Sequence, residues 1–264
     1  MGILNVTPDS FFDGSMHSEL DAAAGRAWQI AAEGADLLDI GGESTRPGAP
    51  PVDEAEELRR VVPVIEALRA NGYLLPISVD TTKAAVAKAA LLAGAQIIND
   101  VSAGRRDPPI LDVAARLGAA VILMHSRGDP TTMAGLANYD EVLAEVITEL
   151  QHACRRASEA GIPADHQAID PGIGFAKTAE QSVSLLARLS ALHTLDRPIL
   201  VGASRKSFLG RIFGQEGEGR RSGSVAVALP AALQGASILR VHDVGETRRA
   251  LDVFLALEQG RVAL

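Results

Sequence analysis

The chain has 264 residues, of which 47% are hydrophobic and 22% charged, and its formal net charge is −8. The negative charge argues against a nucleic-acid-binding surface, and no apolar run approaches the roughly 18 residues that a membrane span requires. The single cysteine, Cys154, excludes an internal disulfide, and the N-terminus has no basic segment typical of a secretory signal. We therefore expect a cytoplasmic protein in which Cys154, within a helical pattern, is a packing residue.

Eight short apolar segments are predicted to be buried parallel strands, because their hydrophobicity is nearly continuous, as in strands covered on both faces. These strands are Gly2–Asn5, Leu37–Gly41, Pro76–Asp80, Ile97–Asp100, Ala120–Met124, Gln167–Asp170, Ile199–Gly202 and Ile238–Val241. Amphipathic periodicity predicts helices at Leu20–Glu33, Glu54–Arg69, Tyr139–Glu159, Ser182–Leu192 and Val244–Leu257. Left-handed helix ends are predicted at Gly34, Gly94, Gly118, Gly161 and Gly235.

Strand and helix alternating eight times in about 260 residues predict a TIM (β/α)₈ barrel, an α/β fold, as one domain over residues 1–264. The length also suits two smaller domains, although no interdomain linker is visible. A doubly wound sheet is the other alternative, but it usually carries a GxGxxG loop after the first strand, and none stands here. The glycine-rich, charged segment Gly214–Gly223 predicts a mobile loop within the barrel.

The first strand leads into a segment that has the form of an active-site loop. After Asn5 the chain carries Thr7, Pro8, Asp9 and Asp13, which are hydroxyl, turn and acidic residues. Such loops follow the strands of a barrel at the face where its chemistry occurs. An ordinary strand followed by a Pro/Asp/Gly turn is the alternative interpretation.

Polar residues stand at or just after the end of every predicted strand. They are Asn5, Glu43, Ser44, Thr45, Arg46, Asp80, Asn99, Asp100, His125, Asp170, Ser204, Arg205, Lys206, Arg240 and His242. Any one of them could cap a helix or face solvent. Because the carboxyl ends of barrel strands meet at one mouth, eight polar ends together are hard to explain by capping alone.

Asp80, Asn99 and Asp170 suit recognition of a flat heterocycle with several N–H groups. A carboxylate can accept two parallel hydrogen bonds from a ring amide and its exocyclic amine. Metal ligation is the competing interpretation. Without a second His or Cys nearby, it remains open for Mg²⁺ and is weak for Zn²⁺.

Arg240 and His242 predict an anion site. In an extended strand end they point to the same side, and strands seven and eight are where barrels commonly bind phosphate. The alternative is that His242 caps the following helix together with Asp243. Anion binding is favoured, because Arg240 would otherwise be an unexplained charge at the end of a buried strand.

These motifs resemble the dihydropteroate synthase family of the pterin-binding barrel superfamily, and the resemblance extends over the whole chain. The matching segments are NVTPDSF at Asn5–Phe11, GGESTRPGA at Gly41–Ala49, SVDT at Ser78–Thr81, IIND at Ile97–Asp100, LMH at Leu123–His125, DPGIGFAKT at Asp170–Thr178, VGASRKSFLG at Val201–Gly210 and RVHDV at Arg240–Val244. NVTPDSF, GGESTRPGA and SRKS are specific to the synthase within the superfamily.

The resemblance implies an enzyme that joins 6-hydroxymethyl-7,8-dihydropterin diphosphate to p-aminobenzoate, giving 7,8-dihydropteroate and pyrophosphate in folate synthesis. It implies catalytic roles for Lys206, Asp80, Arg240 and Asp13, and a pterin diphosphate site at Thr45, Asp80, Asn99, Asp170, Lys206, Arg240, Val241 and His242. It places p-aminobenzoate, and the sulfonamides that bind in the same place, at Phe11, Thr45, Arg46, Pro47, Phe175, Ser204 and Lys206. It also implies Mg²⁺ with Asn5 as a ligand, and a homodimer.

The chain departs from the family pattern at three points. Family members usually carry a segment before the first strand, whereas Met1 directly precedes it here, so an upstream native start and an altered barrel bottom are expected. Phe12 stands where a small residue is common and Ala176 where Gly is common, and both are expected to alter loop mobility. Two other classes stay open: a pterin-binding methyltransferase module acting on a corrinoid partner, and a barrel that binds pterin without catalysis.

Overall fold

The computed structural model describes residues 1–7, 16–46, 48–213 and 219–260, and its centre is an eight-stranded parallel sheet. The strands are β1 Gly2–Asn5, β2 Leu38–Gly41, β3 Ile77–Asp80, β4 Ile97–Asp100, β5 Ala120–Met124, β6 Gln167–Asp170, β7 Ile199–Val201 and β8 Ala236–Leu239. Each strand pairs with its neighbours in sequence order, and a parallel bridge between Gly2 and Val241 joins the last strand to the first. This closed order confirms the predicted TIM barrel.

Helices follow the strands and cover the outside of the barrel. They are α1 Met16–Ala32, α2 Glu54–Ala70, α3 Ala84–Leu92, α4 Pro109–Leu117, α5 Val142–Glu159, α6 Ala179–Ala187, α7 Ser207–Phe213, α8 Gly219–Leu233 and α9 Val244–Gln259. Short 3₁₀ helices lie at Met133–Leu136, Ala164–His166 and Leu189–Leu195. Positive φ angles at Gly34, Gly94, Gly118, Gly161 and Gly235 confirm the predicted helix ends. No helix among the described residues is long and apolar enough to cross a membrane.

Two predicted segments need correction. Strand β8 covers Ala236–Leu239 instead of Ile238–Val241, because it starts directly after the helix-ending Gly235. Residues 219–223 of the predicted loop Gly214–Gly223 begin helix α8, so that part of the prediction is wrong, and residues 214–218 lie outside the described part of the chain. This part of the prediction is wrong because the first residues of α8 are glycine-rich and charged, and the apolar helical pattern begins only after them.

Two apolar layers leave the mouth of the barrel free for polar groups. The outer layer packs helices against the sheet and includes buried Cys154, as predicted. The inner layer fills the floor of the barrel with Met1, Ile122 and Leu200, against which Leu37, Ile97, Ala168 and Ile238 pack. Since strand side chains alternate between the two faces, the inward residues above this floor lie at the carboxyl ends of the strands.

Candidate active site

Two polar side chains, Asp80 and Asn99, converge above the barrel floor because their strands are in register. Asp80 on β3 is opposite Gly41 on β2 and Asn99 on β4, so these residues face the same side of the sheet. Gly41 lets Asp80 approach closely: a Cβ at Gly41 would lie 3.4 Å from the Asp80 Cβ. Both Asp80 and Asn99 are buried, as expected for groups lining the interior of the mouth.

Arg240 lies between two carboxylates in this interior. Its Nε donates to Asp39 Oδ2 at 2.6 Å and its Nη2 donates to Asp80 Oδ2 at 2.6 Å. Asn99 Nδ2 also donates to Asp39 Oδ2, at 3.2 Å. The carboxylates raise the pKa of Arg240, whereas burial raises the pKa of Asp80 and the guanidinium opposes that rise.

Asp39 is the residue of this cluster that sequence reasoning missed. It is fully buried in the middle of β2, and its Oδ1 has no hydrogen-bond partner in the described structure. The available signal was a carboxylate inside an otherwise apolar strand, which is costly unless the charge is paired. Attention to strand ends alone passed over it.

Asp170 and Lys206 form the opposite side of the mouth. Asp170 Oδ1 accepts the backbone N–H of Gly172 at 2.7 Å, and burial raises its pKa. Burial lowers the pKa of Lys206 to about 8, against the attraction of Asp170. The Lys206 ammonium group lies 3.9 Å from the centre of the Phe175 ring, a cation–π contact. This side therefore combines an anion, a cation and a flat apolar wall.

His242 is held by Ser204 and not by Arg240. The Ser204 hydroxyl lies 3.0 Å from His242 Nδ1 and accepts the His242 backbone N–H at 3.2 Å. Burial, with the nearby Arg205 and Arg240, lowers the pKa of His242 to about 4. Arg240 donates to Asp39 and Asp80 instead of to His242, and the anion site expected at Arg240 and His242 stays a prediction. The structure does not support the capping alternative, because the Asp243 side chain makes no cap hydrogen bond at the start of α9.

Three polar residues predicted near strand ends build the surrounding loops instead of the site. Asp100 accepts hydrogen bonds from the backbone of Ser102 and Gly104 at 2.7 and 2.6 Å, which shapes the turn after β4. Glu43 pairs with Lys83. Arg205 donates through both Nε and Nη2 to Asp243, at 3.0 and 2.6 Å.

The remaining predicted residues are distributed around the mouth. Asn5 and Thr45 are half-buried, Arg46 is exposed and Val241 is buried. Phe11, Asp13 and Pro47 lie outside the described residues, as does Phe12. Ala176 adopts a left-handed backbone with φ of +46°, which gives a physical reason for the glycine that is common at this position.

A cavity of about 320 Å³ opens beside Phe175, between the loops that follow β3, β4, β5 and β6. Its lining includes the apolar side chains of Val101, Met133 and Phe175 and the cationic side chains of Arg105 and Arg106. Asp80, Asn99 and Asp170 do not line this cavity, which joins the polar mouth through Phe175 and its contact with Lys206.

Comparison with known proteins agrees with this geometry. Residues 1–242 match the family model described as pterin binding enzyme. The chain is 47% identical to dihydropteroate synthase of Escherichia coli K12 over 253 residues, covering 96% of this chain and 89% of that one. Among solved structures, dihydropteroate synthase of Xanthomonas albilineans with 4-aminobenzoic acid is 50% identical, with a TM-score of 0.91 and coverage of 97% and 92%. The Yersinia pestis enzyme in a sulfonamide complex is 47% identical, with a TM-score of 0.91 and coverage of 98% and 93%.

Proposed function

We propose, since this chain belongs to the dihydropteroate synthases of the pterin-binding enzyme family, that residues 1–264 act as one barrel domain whose mouth holds both substrates. The reaction joins p-aminobenzoate to 6-hydroxymethyl-7,8-dihydropterin diphosphate, giving 7,8-dihydropteroate and pyrophosphate. One observation supports the assignment of both substrates to this mouth. Three buried polar residues, Asp80, Asn99 and Asp170, meet the cations Arg240 and Lys206 at the carboxyl ends of the strands.

The pterin ring is assigned to the buried polar groups. Asp170, Asn99 and Asp80 offer acceptors and an amide to the N–H groups and carbonyl of the ring, and Lys206 offers a donor. All of these side chains come from strand ends or from the loop next to β7, so the ring pocket stands on the rigid part of the fold.

The diphosphate is assigned to Arg240, Val241, His242 and Thr45. His242, with its pKa lowered to about 4, is neutral at pH 7 and contributes an N–H donor instead of a charge. Arg240 supplies the charge, but the diphosphate must compete for it with Asp39 and Asp80. Donors directed at a leaving anion lower the barrier because its charge grows in the transition state.

Mg²⁺ is proposed to arrive with the diphosphate. Asn5 offers one amide oxygen, and the described ranges hold no group of three His, Cys, Asp or Glu side chains that could retain an ion by itself. This donor set fits Mg²⁺, which keeps water ligands and is commonly bound through substrate phosphates. When bound, the ion would offset negative charge on the leaving pyrophosphate.

The p-aminobenzoate side is assigned to Phe175, Ser204, Lys206, Thr45 and Arg46, with Phe11 and Pro47 from outside the described residues. Phe175 offers a flat face, and Lys206 and Arg46 offer positive charge for a carboxylate. We expect sulfonamides to compete with p-aminobenzoate at this side, as the Yersinia pestis complex suggests for a relative.

The chemistry follows from the two substrates. The C–O bond to the diphosphate breaks with its electron pair leaving on pyrophosphate, and the electron-rich reduced pterin stabilises the resulting CH₂ cation. The amine lone pair then forms the C–N bond, and the surplus proton passes to solvent, so no residue must deprotonate the amine first. Asp13 and its loop are proposed to exclude water, which would otherwise capture the cation.

A homodimer in the cytoplasm is the proposed working state. Helix α8 packs against α7 and α9, and these three helices expose Ile212 (58%), Leu233 (62%) and Leu257 (77%). Large apolar side chains on neighbouring helices favour a second copy as partner.

The lone buried Cys154 suits a reducing compartment.

The experiment that tests the function is pyrophosphate release by the purified chain with and without p-aminobenzoate. We expect one pyrophosphate per 7,8-dihydropteroate when both substrates and Mg²⁺ are present, and slow release without p-aminobenzoate. Release at the same rate without p-aminobenzoate would identify a hydrolase, and pterin binding without release would identify a binding protein. Either result would overturn the proposal.

A further inference from the structure

The loop of residues 171–177 carries Phe175 between β6 and α6. Two side chains hold its backbone, that of Lys177 at the end of the loop and that of Tyr139 from outside it. Lys177 Nζ donates to the Phe175 carbonyl at 3.0 Å, and the Tyr139 hydroxyl donates to the Ala176 carbonyl at 2.9 Å. Within the loop, the Phe175 N–H donates to the Gly172 carbonyl at 3.0 Å. Two consecutive carbonyls, one of them that of Phe175, are therefore fixed by side chains.

Lys177 is itself anchored to the end of β5. Its Nζ lies 2.8 Å from Nδ1 of His125, whose side chain is completely buried. The backbone N–H of His125 donates to the Asp170 carbonyl at 2.8 Å, and the ring Nε2 of His125 lies 3.1 Å from Glu149 Oε2. Burial lowers the pKa of His125 to about 4, so the ring is neutral at pH 7 and Nδ1 can accept from Lys177.

The Lys177 contacts do not depend on its charge. Burial lowers its pKa to about 7, against the attraction of Asp170. The ammonium form has three N–H hydrogens and the neutral amine has two, and either number serves the two acceptors, His125 Nδ1 and the Phe175 carbonyl. The contact with Phe175 is thus available in both protonation states.

Tyr139 is positioned by contacts that share His125 and Glu149 with those of Lys177. The Arg127 guanidinium lies 4.0 Å from the centre of its ring, and the ring stands 6.2 Å from that of His125. Arg127 also donates to Glu149 and Glu145, both on α5. The Tyr139 hydroxyl therefore reaches the loop from a packed position and holds a different carbonyl from the one that Lys177 holds.

We propose that Lys177 and Tyr139 are positioning residues for p-aminobenzoate, because together they fix the loop that presents the Phe175 ring. Neither residue touches the reacting atoms. The inference rests on the proposed assignment of Phe175 to the p-aminobenzoate side. The pterin pocket should be less affected, because Asp80 and Asn99 belong to other strands. Asp170 is held by the Gly172 N–H, which precedes the two carbonyls that Lys177 and Tyr139 hold.

The test measures the KM for p-aminobenzoate and, by calorimetry, the affinity for the pterin diphosphate, in Lys177→Met and Tyr139→Phe. Lys177→Met loses the hydrogen bonds to both His125 and the Phe175 carbonyl, which predicts an increase in KM of about tenfold. Tyr139→Phe loses a single neutral hydrogen bond, which predicts an increase of about fivefold. The affinity for the pterin diphosphate should stay within about twofold of the original in both variants, a change below that of one neutral hydrogen bond. The chain offers matched controls with the same changes away from the loop, Lys88→Met on the exposed side of α3 and Tyr73→Phe, and both should keep the original KM.

Both predicted increases in KM are required. An unchanged KM in either folded variant, or a loss of pterin affinity equal to the loss for p-aminobenzoate, would overturn the inference. If Lys177→Met does not fold by circular dichroism, Tyr139→Phe decides alone, because it removes a single hydroxyl. Phe175→Ala separates the assignment of Phe175 from the positioning role of Lys177 and Tyr139. An unchanged KM in Phe175→Ala would contradict the assignment of Phe175. An increased KM in Phe175→Ala, with an unchanged KM in Lys177→Met and Tyr139→Phe, would contradict only this inference.

Discussion

Arg240 combines a structural role with the proposed contact to pyrophosphate. Its guanidinium neutralises two buried carboxylates, Asp39 and Asp80, that come from different strands. Removing one partner of a buried ion pair leaves an uncompensated charge and costs about 3–5 kcal/mol. A variant of Arg240 therefore changes both the ligand site and the stability of the barrel interior, and the two effects must be measured separately.

We predict that Arg240→Ala lowers the free energy of unfolding by about 3–5 kcal/mol at pH 8 and by less at pH 5. Burial already raises the pKa of Asp80, and losing Arg240 removes the influence that opposes this rise. A carboxyl group with a raised folded-state pKa contributes stability at low pH that is lost as the pH rises through that pKa. Urea unfolding at both pH values measures the deficit. A deficit of equal size at the two values would contradict the prediction, and adding Asp80→Asn should reduce the pH dependence.

Asp170→Asn is predicted to weaken binding of the pterin ring at least about tenfold, because an amide cannot accept two parallel hydrogen bonds from the ring edge. Isothermal calorimetry with the pterin measures the loss. Asp100→Asn is the matched control, since that carboxylate is equally buried but serves the turn after β4. The control should lose stability and keep its pterin affinity. Unchanged affinity in Asp170→Asn would remove Asp170 from the ring site.

At the scale of elements, the loop after β6 determines the shape of the mouth through close backbone approach. Gly172 has φ of +68°, and a Cβ built there would lie 1.8 Å from the His125 carbonyl oxygen. The loop therefore touches the end of β5 directly, and only glycine fits. The same loop supplies the N–H for Asp170 and the ring of Phe175, so one tight turn serves both sides of the site.

Gly172→Ala is predicted to cost about 3 kcal/mol or more, because left-handed strain of about 1 kcal/mol adds to a clash with a backbone atom that cannot move aside. Gly118→Ala is the matched control: its φ is +67°, but nothing lies within 4 Å of the added Cβ. Thermal unfolding should show a loss of about 1 kcal/mol for the control. Equal losses in the two variants would mean that the contact with His125 relaxes freely.

At the scale of the whole molecule, buried neutral histidines connect stability to pH. His125 and His242 both have pKa values lowered to about 4, mainly by burial, and both lie at the mouth. A base with a lowered folded-state pKa contributes stability above its unfolded pKa that is lost as the pH falls toward the folded value. Acid should therefore lower the free energy of unfolding through protonation of these two histidines at the mouth.

We predict that the stability advantage of the original chain over His125→Gln shrinks on acidification. Between the unfolded pKa near 6.5 and the folded value of about 4, the advantage should fall by about 1.4 kcal/mol per pH unit. Urea unfolding at pH 7.5, 6 and 5 measures the two curves. His152→Gln, exposed on α5, is the control and should follow the original profile. A difference that does not change with pH would show that folding does not lower the pKa of His125.

The amino-acid sequence by itself determined the number, order and type of the strands and the set of residues at their ends. Short apolar segments and glycines that end helices are local signals, and eight parallel strands of this length close into a barrel. Asp80, Asn99 and Asp170 could be assigned to one mouth because each stands at or next to the carboxyl end of a buried strand. The family was also recognisable, because its motifs are contiguous stretches.

Only the tertiary structure decided which of these residues meet. Arg240 reaches Asp39 and Asp80, which lie 201 and 160 residues away in the chain, and His125 meets Lys177 across 52 residues. The energy of such contacts depends on burial and on the register of neighbouring strands, and no local pattern encodes either quantity. For the same reason the ion pairs of Arg240 became visible only when the barrel closed around two buried carboxylates that need a positive charge.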